Sequence, residues 1–129
     1  MRRRLVRCLA ELAAFPVENL VIPGTPDIFY TKGCIECKYV KAWPKEIKTP
    51  LRIPTFTNQQ RIFLKRWCGH GGQAYFMIQI GQEWLLFWGM VAATVVGSLP
   101  RAEMYNQALR VWKTVADMEK EILECLSRN

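Results

Sequence analysis

Three side chains able to bind a cation and to move a proton lie close together in residues 24–45, GTPDIFYTKGCIECKYVKAWPK. Asp27 comes first, and Glu36 and Lys38 follow with one residue between them. Two carboxylates that converge on one point repel each other unless a cation lies between them. A few oxygen ligands that leave room for water and phosphate are typical of Mg²⁺, and a neighbouring lysine can orient water and offset negative charge.

Strand geometry predicts how these side chains meet. Residues 34–40 form an apolar, strand-like run, in which successive side chains point to opposite faces. Glu36 and Lys38 are therefore expected on one face of the same strand. A predicted hairpin, with its turn at Lys32-Gly33, returns the chain so that Asp27 lies beside Glu36.

The same stretch offers a zinc site as an alternative. Cys34 and Cys37 have C-x-x-C spacing, and Cys68 and His70 could complete a set of thiolate and imidazole ligands. A strand directs the two cysteines of this pair to opposite faces, whereas zinc ligands with this spacing need a tight turn. The pattern therefore favours Cys37 as a small core residue over zinc, and elemental analysis separates the two interpretations.

Hydrophobic periodicity and turn residues predict the other elements. Expected strands are residues 17–22, 27–31, 34–40, 74–80 and 83–88. Expected helices are residues 3–15, residues 58–68 behind a Thr57 cap, and two stretches after Pro100. The last helix is expected to place one apolar face inward, made of Val111, Val115, Met118 and Ile122. This order predicts an α/β or α+β sandwich with a mixed central sheet flanked by helices.

The length of 129 residues predicts one domain, with a core at about 3–88 and a C-terminal helical extension at about 101–127. A formal net charge of +7 suits a polyanionic partner such as nucleic acid. Residues 1–82 contain five acids, and two of them are Asp27 and Glu36. A basic surface with carboxylates at its centre is what cutting a phosphate backbone with a metal requires.

The chain is not expected to enter a membrane. The longest uncharged run, residues 84–100, contains two glycines and falls short of the roughly 20 apolar residues of a membrane helix. It is interpreted as a strand and a buried connection. No secretory signal is evident at the start, and five cysteines are an odd number without a disulfide-like spacing. These features predict a cytoplasmic protein, in the host cytoplasm if the protein is viral.

The ordered motifs resemble a known superfamily. "PD" followed after a hairpin by "ECK" resembles the PD-(D/E)xK nucleases, which have the restriction-endonuclease-like fold. GTPDIF, CIECKYVKAWP, TFTNQQRIFLKRW and GGQAYFMIQI occur in the same order as in the VRR-NUC branch and in related phage and archaeal Holliday-junction resolvases. The resemblance covers about residues 22–88, and the ordered set is far more specific than the short PD…ExK pattern alone.

The resemblance implies a role for each matching residue. Asp27, Glu36 and the backbone carbonyl of Cys37 would bind Mg²⁺ or Mn²⁺, and Lys38 would be the catalytic lysine. Gln60 matches a glutamine that faces the site from the following helix, with Gln59 as the alternative if the register shifts by one residue.

The N-terminal region departs from the superfamily pattern. These nucleases usually carry a glutamate on the first helix, but the corresponding residues here are the basic 2–4. Glu11 and Glu18 are the nearest acids, and neither matches the expected position. One metal or two, and the involvement of either glutamate, stay open.

The combined interpretation is a Mg²⁺-dependent DNA endonuclease that selects branched, flap or junction structures in viral replication, recombination or repair. A homodimer is expected, with residues 84–100 and the C-terminal helices as its interface. The alternative is a non-catalytic DNA-binding or assembly module with a decayed site. The basic residues expected to contact DNA are Lys41, Lys45, Lys48, Arg61 and Lys65.

Overall fold

The computed structural model of the protein describes residues 1–18 and 21–128, and within them the strands form one six-stranded sheet. The strands follow the chain order across the sheet: β1 (Phe15–Pro16), β2 (Ile28–Tyr30), β3 (Gly33–Val40), β4 (Gln73–Ile80), β5 (Glu83–Trp88) and β6 (Arg110–Trp112). β3 and β4 are parallel, and the other neighbours are antiparallel. The expected mixed α/β architecture is confirmed.

Helices cover both faces of the sheet. They are α1 (Arg2–Cys8), α2 (Asn58–Gly69), α3 (Gly89–Val95), α4 (Arg101–Gln107) and α5 (Val115–Ser127), with a 3₁₀ turn at Ala10–Leu12. Within the described residues, no helix is long and apolar enough to cross a membrane.

Two hydrophobic cores lie on opposite faces of the sheet. One joins Cys34 and Phe76 to Leu64 of α2 and to the buried alanines of α3. The other joins Ile35 and Met77 to the buried faces of α1 and α5. The alternation of β3 residues between the cores confirms the expected strand, since neighbouring side chains enter different cores.

The central hairpin forms as expected, with its turn shifted by one residue. Tyr30 pairs with Gly33, so the connection is Thr31-Lys32 rather than Lys32-Gly33. Gly33 already belongs to β3, where a Cβ atom would lie 2.1 Å from the backbone oxygen of Gln73. The glycine is therefore required by the close approach of β4 and not by the turn.

The first expected helix, residues 3–15, and the first expected strand, residues 17–22, differ from the structure. Helix α1 stops at Cys8, and the chain then turns at Ala13, whose φ of 57° is left-handed. Part of the expected strand 17–22, residues 19 and 20, lies outside the described residues. Its described parts are not strand, because edge pairing with β2 occurs instead at Phe15–Pro16.

Two elements after β5 were not predicted. The connection after residue 88 is the short helix α3, which is apolar apart from Thr94 and therefore shows no clear helical period in its sequence. Val111 lies in strand β6, so its predicted place on the last helix was wrong. Three residues are too few to show an alternating pattern, and β6 is held by pairing of Trp112 with Trp84.

Candidate active site

The hairpin places the two predicted carboxylates together. Ile28 pairs with Ile35, which sets the preceding Asp27 opposite Glu36 on antiparallel strands. Asp27 Oδ2 accepts a hydrogen bond from the backbone N–H of Cys37 at 2.9 Å. This bond holds the Asp27 side chain against β3, although Asp27 itself lies just before the first residue of β2. The structure thus brings together residues that are nine apart in the sequence.

Glu36 has an unusual environment for a carboxylate. It is 2% exposed, and its Oε1 atom is buried without a hydrogen-bond donor among the described residues. Burial and, after it, the charge of Asp27 raise the pKa of Glu36 to about 8, against the opposing effect of Lys38. A protonated Glu36 can donate to the Asp27 carboxylate, which also favours the neutral form. When Glu36 is ionised, Lys38 lies 3.5 Å from its Oε2 atom, but its Oε1 atom has no donor among the described residues.

Lys38 is held at the same place from two sides. Its Nζ atom lies 3.5 Å from Glu36 Oε2 and donates to the carbonyl oxygen of Thr55 at 2.7 Å. The side chain is only 10% exposed. Thr55 belongs to the irregular basic segment 41–56, which contains neither helix nor strand, as expected. The ammonium group is therefore positioned both by the site and by this segment.

Gln60 forms part of the cap of helix α2. Thr57 Oγ1 accepts from the Gln60 N–H, and Gln60 Oε1 accepts from the Thr57 N–H at 2.9 Å. This capping box confirms the predicted Thr57 cap and uses the side-chain oxygen of Gln60. A Cβ atom on Gly24, where φ is +83°, would lie 2.3 Å from the Gln59 carbonyl oxygen. The segment before Asp27 is therefore packed tightly against the start of α2.

Helix α1 brings an arginine to the site. Arg2 NH1 lies 3.6 Å from Asp27 Oδ1, and the Arg2 side chain is 53% exposed. Glu11 and Glu18, the two acids considered from the sequence, are exposed. Sequence reasoning missed Arg2 because it looked for a carboxylate in this region. The available signal was the run of three arginines at residues 2–4.

The donor set fits a hard divalent cation. Asp27 and Glu36 supply carboxylate oxygens, and the unsatisfied Oε1 of Glu36 is an acceptor that a cation would satisfy. Within residues 1–18 and 21–128 there is no group of three or more His, Cys, Asp or Glu side chains arranged to hold a metal. Two carboxylates leave other positions to water, backbone oxygen or phosphate, which is the arrangement that Mg²⁺ prefers.

The two cysteines of the C-x-x-C pair lie apart. Cys34 belongs to the core beneath α2, whereas Cys37 packs against the core on the opposite face. Burial raises the pKa of Cys34 to about 12 and raises that of Cys37 well above its usual value. Zinc needs thiolates that converge on one point, and these thiols are neutral and divided by the sheet.

Most of the predicted DNA-contacting side chains are exposed. Arg61 is the exception, since its guanidinium lies over the Phe56 ring at 4.1 Å and donates to the carbonyls of Ala92 and Ala93. These contacts tie α2 to the end of α3. The exposed members are Lys41, Lys45, Lys48 and Lys65.

A solved structure with a similar fold is that of Hjc, a Holliday junction resolvase from the archaeal hyperthermophile Archaeoglobus fulgidus. The TM-score is 0.50 with 20% sequence identity, over 92% of this chain and 91% of that chain. The fold is restriction-endonuclease-like. No family model matches the sequence, and no curated protein matches it.

The expected dimer segment is largely internal. In residues 84–100, Trp84, Phe87 and Ala92 are buried in this chain's own cores, as are most of their neighbours. Internal packing therefore accounts for the apolar character that suggested an interface in this segment.

Proposed function

We propose that this protein is a metal-dependent endonuclease of the PD-(D/E)xK superfamily that hydrolyses DNA phosphodiester bonds. The observation that carries the proposal is the convergence of Asp27, Glu36 and Lys38, with a buried carboxylate oxygen of Glu36 that has no donor among the described residues. A buried ionisable group without compensation is costly in a purely structural role. A cation at the carboxylate pair removes that cost.

Asp27, Glu36 and the backbone carbonyl of Cys37 would hold Mg²⁺ or Mn²⁺. Such an ion supplies positive charge to the scissile phosphate and favours deprotonation of the attacking water. Asp27 is already oriented for this task by the Cys37 N–H, and the β3 backbone keeps Glu36 at its side.

Lys38 then acts on the reacting groups. Its ammonium group orients the water for in-line attack and offsets the charge that develops on the phosphate. The Thr55 carbonyl limits the rotamers of Lys38, so little ordering remains to be done when DNA binds. Gln60 stands at the start of α2, and the amide nitrogen of its side chain is left as a donor to water or phosphate.

The surface and the likeness in fold support DNA as the substrate class. The exposed lysines of segment 41–56 and Lys65 provide a path for the phosphate backbone. The likeness to Hjc, a Holliday junction resolvase, supports branched DNA as substrate. We extend the proposal to a VRR-NUC-like, structure-selective enzyme of viral replication, recombination or repair, acting in the cytoplasm.

The test is a cleavage assay on junction, flap and single-stranded DNA with Mg²⁺ or Mn²⁺. We expect wild-type protein to cut at least one branched substrate, and Asp27→Asn and Lys38→Ala to lose about 10³-fold or more in rate. Lys120→Ala on α5 is the matched control, because it removes a lysine from the opposite side of the sheet. Cleavage by Asp27→Asn or Lys38→Ala at the wild-type rate would overturn the proposal.

Metal binding can be measured without cleavage. Titration calorimetry with Mn²⁺ is expected to show binding to wild-type protein and none to Asp27→Asn at the same concentrations. Equal heats for both proteins would show that the ion binds elsewhere.

One observation favours a second candidate, a non-catalytic DNA-binding module. Arg2 forms an ion pair with Asp27 and could serve as a permanent substitute for a cation. That candidate predicts DNA binding that does not change when Mg²⁺ is removed, together with no cleavage of any substrate by wild-type protein.

A homodimer remains part of the proposal, because two sites would address two strands of a junction. Light scattering should then give twice the chain mass. A monomeric mass in the presence and absence of junction DNA would exclude this arrangement.

A further inference from the structure

A groove of about 620 Å³ runs along one side of helix α2, next to the candidate active site. Its helical wall follows a regular spacing from residue 59 to residue 70, a length of about 16 Å along an α-helix. Pro23 and Ile22 form the facing wall. The helical residues that line it are Gln59, Ile62, Phe63, Arg66, Trp67 and His70.

The apolar stripe of α2 lines this groove, and two of its members, Phe63 and Trp67, also pack against the core. Leu64 is the fully buried residue of α2, whereas Ile62 is 54% exposed and Phe63 and Trp67 are half-buried. The sequence identified Ile62, Phe63 and Trp67 as one stripe but gave no sign that it would be left accessible.

Aromatic rings form a continuous row from the groove to the sheet edge. Phe63 and Trp67 are stacked with their centroids 5.4 Å apart and their planes at 15°. Trp67 contacts Phe29 of β2 edge-on at 5.8 Å, and Phe29 stacks with Phe15 of β1 at 6.4 Å. Phe15, at the far end, is 54% exposed. The row lines the groove at Phe63 and Trp67 and exposes a ring at Phe15. Aromatic rings suit ligands that are themselves flat and aromatic.

The polar groups of the groove favour a negatively charged partner such as a polyanion. Among the described residues, its lining contains Arg66, Gln59 and His70 but no carboxylate. Lys65, the neighbour of Arg66, is exposed, and α2 contains no acidic residue at all. Aromatic rings and a basic margin are complementary to nucleotides.

The groove and the carboxylate pair share one segment of the chain. Residues 22 and 23 line the groove, Gly24 packs on the Gln59 backbone, and Asp27 follows three residues later. A DNA strand with a phosphate at Asp27 and Glu36 can therefore place its neighbouring nucleotides in the groove without leaving the surface.

We infer that this groove binds unpaired nucleobases of the DNA strand that enters the active site, with Phe63 and Trp67 as the stacking platform and Arg66 on the phosphate backbone. The inference rests on the proposed function, since it takes the bound strand to be the one that is cut. It assigns the preference for branched or forked DNA to a specific surface, because the faces of paired bases are covered by their neighbours in the duplex and are not free to stack on protein rings.

The test uses two fluorescein-labelled forked duplexes with identical phosphates. One carries thymines in its unpaired arms, and the other carries abasic sites at the same positions. Fluorescence anisotropy in EDTA measures binding without cleavage. We expect wild-type protein to bind the thymine fork at least about tenfold more tightly, since stacking of even one base gives an effect of this size. Equal affinity for the two forks would overturn the inference.

Two variants locate the preference. Phe63→Leu keeps an apolar side chain but removes a stacking ring, and it should lower the thymine preference about fivefold or more. Tyr39→Leu is its matched control, because Tyr39 is 61% exposed and does not line the groove. A Tyr39→Leu protein should keep the full preference, and loss of the preference in this control would count against the groove.

Ile62→Glu serves if Phe63→Leu is poorly folded, because Ile62 is half exposed and contributes little to the core. It should weaken binding of the thymine fork, while Leu109→Glu, which adds the same charge at another exposed position, should not. If Ile62→Glu instead converts a dimer into a monomer with no change in base preference, the groove binds a second copy and the inference fails.

The inference and the proposed function can fail separately. A thymine preference that depends on Phe63 in a protein without cleavage supports the groove and rejects the hydrolytic activity. Cleavage that depends on Lys38, with equal binding of both forks, supports the activity and rejects the groove.

Discussion

Two glutamates in the same sheet, Glu36 and Glu83, meet opposite electrostatic conditions. Glu36 on β3 is nearly inaccessible, keeps one oxygen without a donor among the described residues and has one cation, Lys38, at 3.5 Å. Both carboxylate oxygens of Glu83 on β5 accept hydrogen bonds from neighbouring side chains. These donors are Trp43, Arg101, Tyr105 and Lys113.

The two pKa values move in opposite directions. Burial alone would raise the pKa of Glu83, but hydrogen bonds from Tyr105, Trp43 and Lys113 outweigh it and hold the pKa below its usual value. For Glu36 burial dominates, and the pKa rises to about 8. The Glu83 cluster connects segment 41–56, β5, α4 and the region after β6, which is the task of a structural carboxylate. A carboxylate left short of donors is instead suited to a ligand that arrives from outside.

The largest expected difference between the two glutamates is in catalysis. Glu36→Gln removes a metal ligand while preserving shape, and the cleavage rate should fall about 10³-fold or more. Glu83→Gln should cleave at nearly the wild-type rate per folded molecule, as measured at a temperature where both variants are folded. Comparable losses in the two variants would remove the distinction between a functional and a structural carboxylate.

The dependence of stability on pH should also differ in sign. The pKa of Glu36 is higher in the folded state than its usual 4.5, so folding retains a proton that the unfolded chain releases. Its contribution to stability is present below about pH 4.5 and is lost as the pH rises towards about 8. The loss can reach roughly 4 kcal/mol.

Urea unfolding in EDTA across this pH range measures the effect. Glu36→Gln should abolish the decline, and Mn²⁺ should restore stability to wild-type protein at about pH 8 but not to Glu36→Gln. Glu83 behaves in the opposite way, because its lowered pKa gives stability that is present above its usual pKa and is lost at more acidic pH. A wild-type stability that keeps increasing between about pH 5 and 8 would contradict the environment described for Glu36.

Glu83→Gln is expected to change the free energy of unfolding by less than the pH effect of Glu36. This change leaves Arg101 and Lys113 near each other without their shared carboxylate, and it weakens the bonds from Tyr105 and Trp43. The free energy of unfolding should decrease by about 2 kcal/mol, measured by urea denaturation at neutral pH. Glu124→Gln is the control, since that glutamate is exposed on α5 and pairs with Arg128 alone. A change as small as in the control would mean that the cluster is not structural.

The smallest expected effect belongs to Arg2→Ala. Its ion pair with Asp27 is half exposed, so the free energy of unfolding should change by less than about 1 kcal/mol. If Arg2 moves to a phosphate when DNA binds, the slope of log affinity against log salt should decrease by about 1. Arg128→Ala, at the end of α5, should leave the slope unchanged. An equal slope for both variants would show that Arg2 does not contact a phosphate and that it pairs only with Asp27.

The sequence predicted the hairpin and its acidic pair because that part of the site is local. Alternation along residues 34–40 and a short connection are enough to set Asp27 opposite Glu36, and both signals are readable in one chain. The Thr57 cap was predictable for the same reason, since a capping box spans only a few residues.

Features that depend on distant packing were not predictable from the sequence. Arg2 reaches Asp27 through the docking of α1 on the sheet, and Lys38 meets Thr55 through the path of an irregular segment. Strand β6 forms by pairing with the edge of β5. The three residues of β6 are too few to show an alternating hydrophobic pattern in the sequence. The Glu83 cluster draws its donors from three separate parts of the chain, so its residues look unrelated in sequence.

The parallel pairing of β3 with β4 has a consequence for the order of assembly. The hairpin of β2 and β3 closes a small loop, whereas β3 can meet β4 only after the chain between residues 41 and 72 has folded back with α2. Closing the larger loop costs more chain entropy and is slower. The acidic pair can therefore approach early in folding, while still hydrated. The desolvation that sets the chemistry of Glu36 comes only when the crossover is complete.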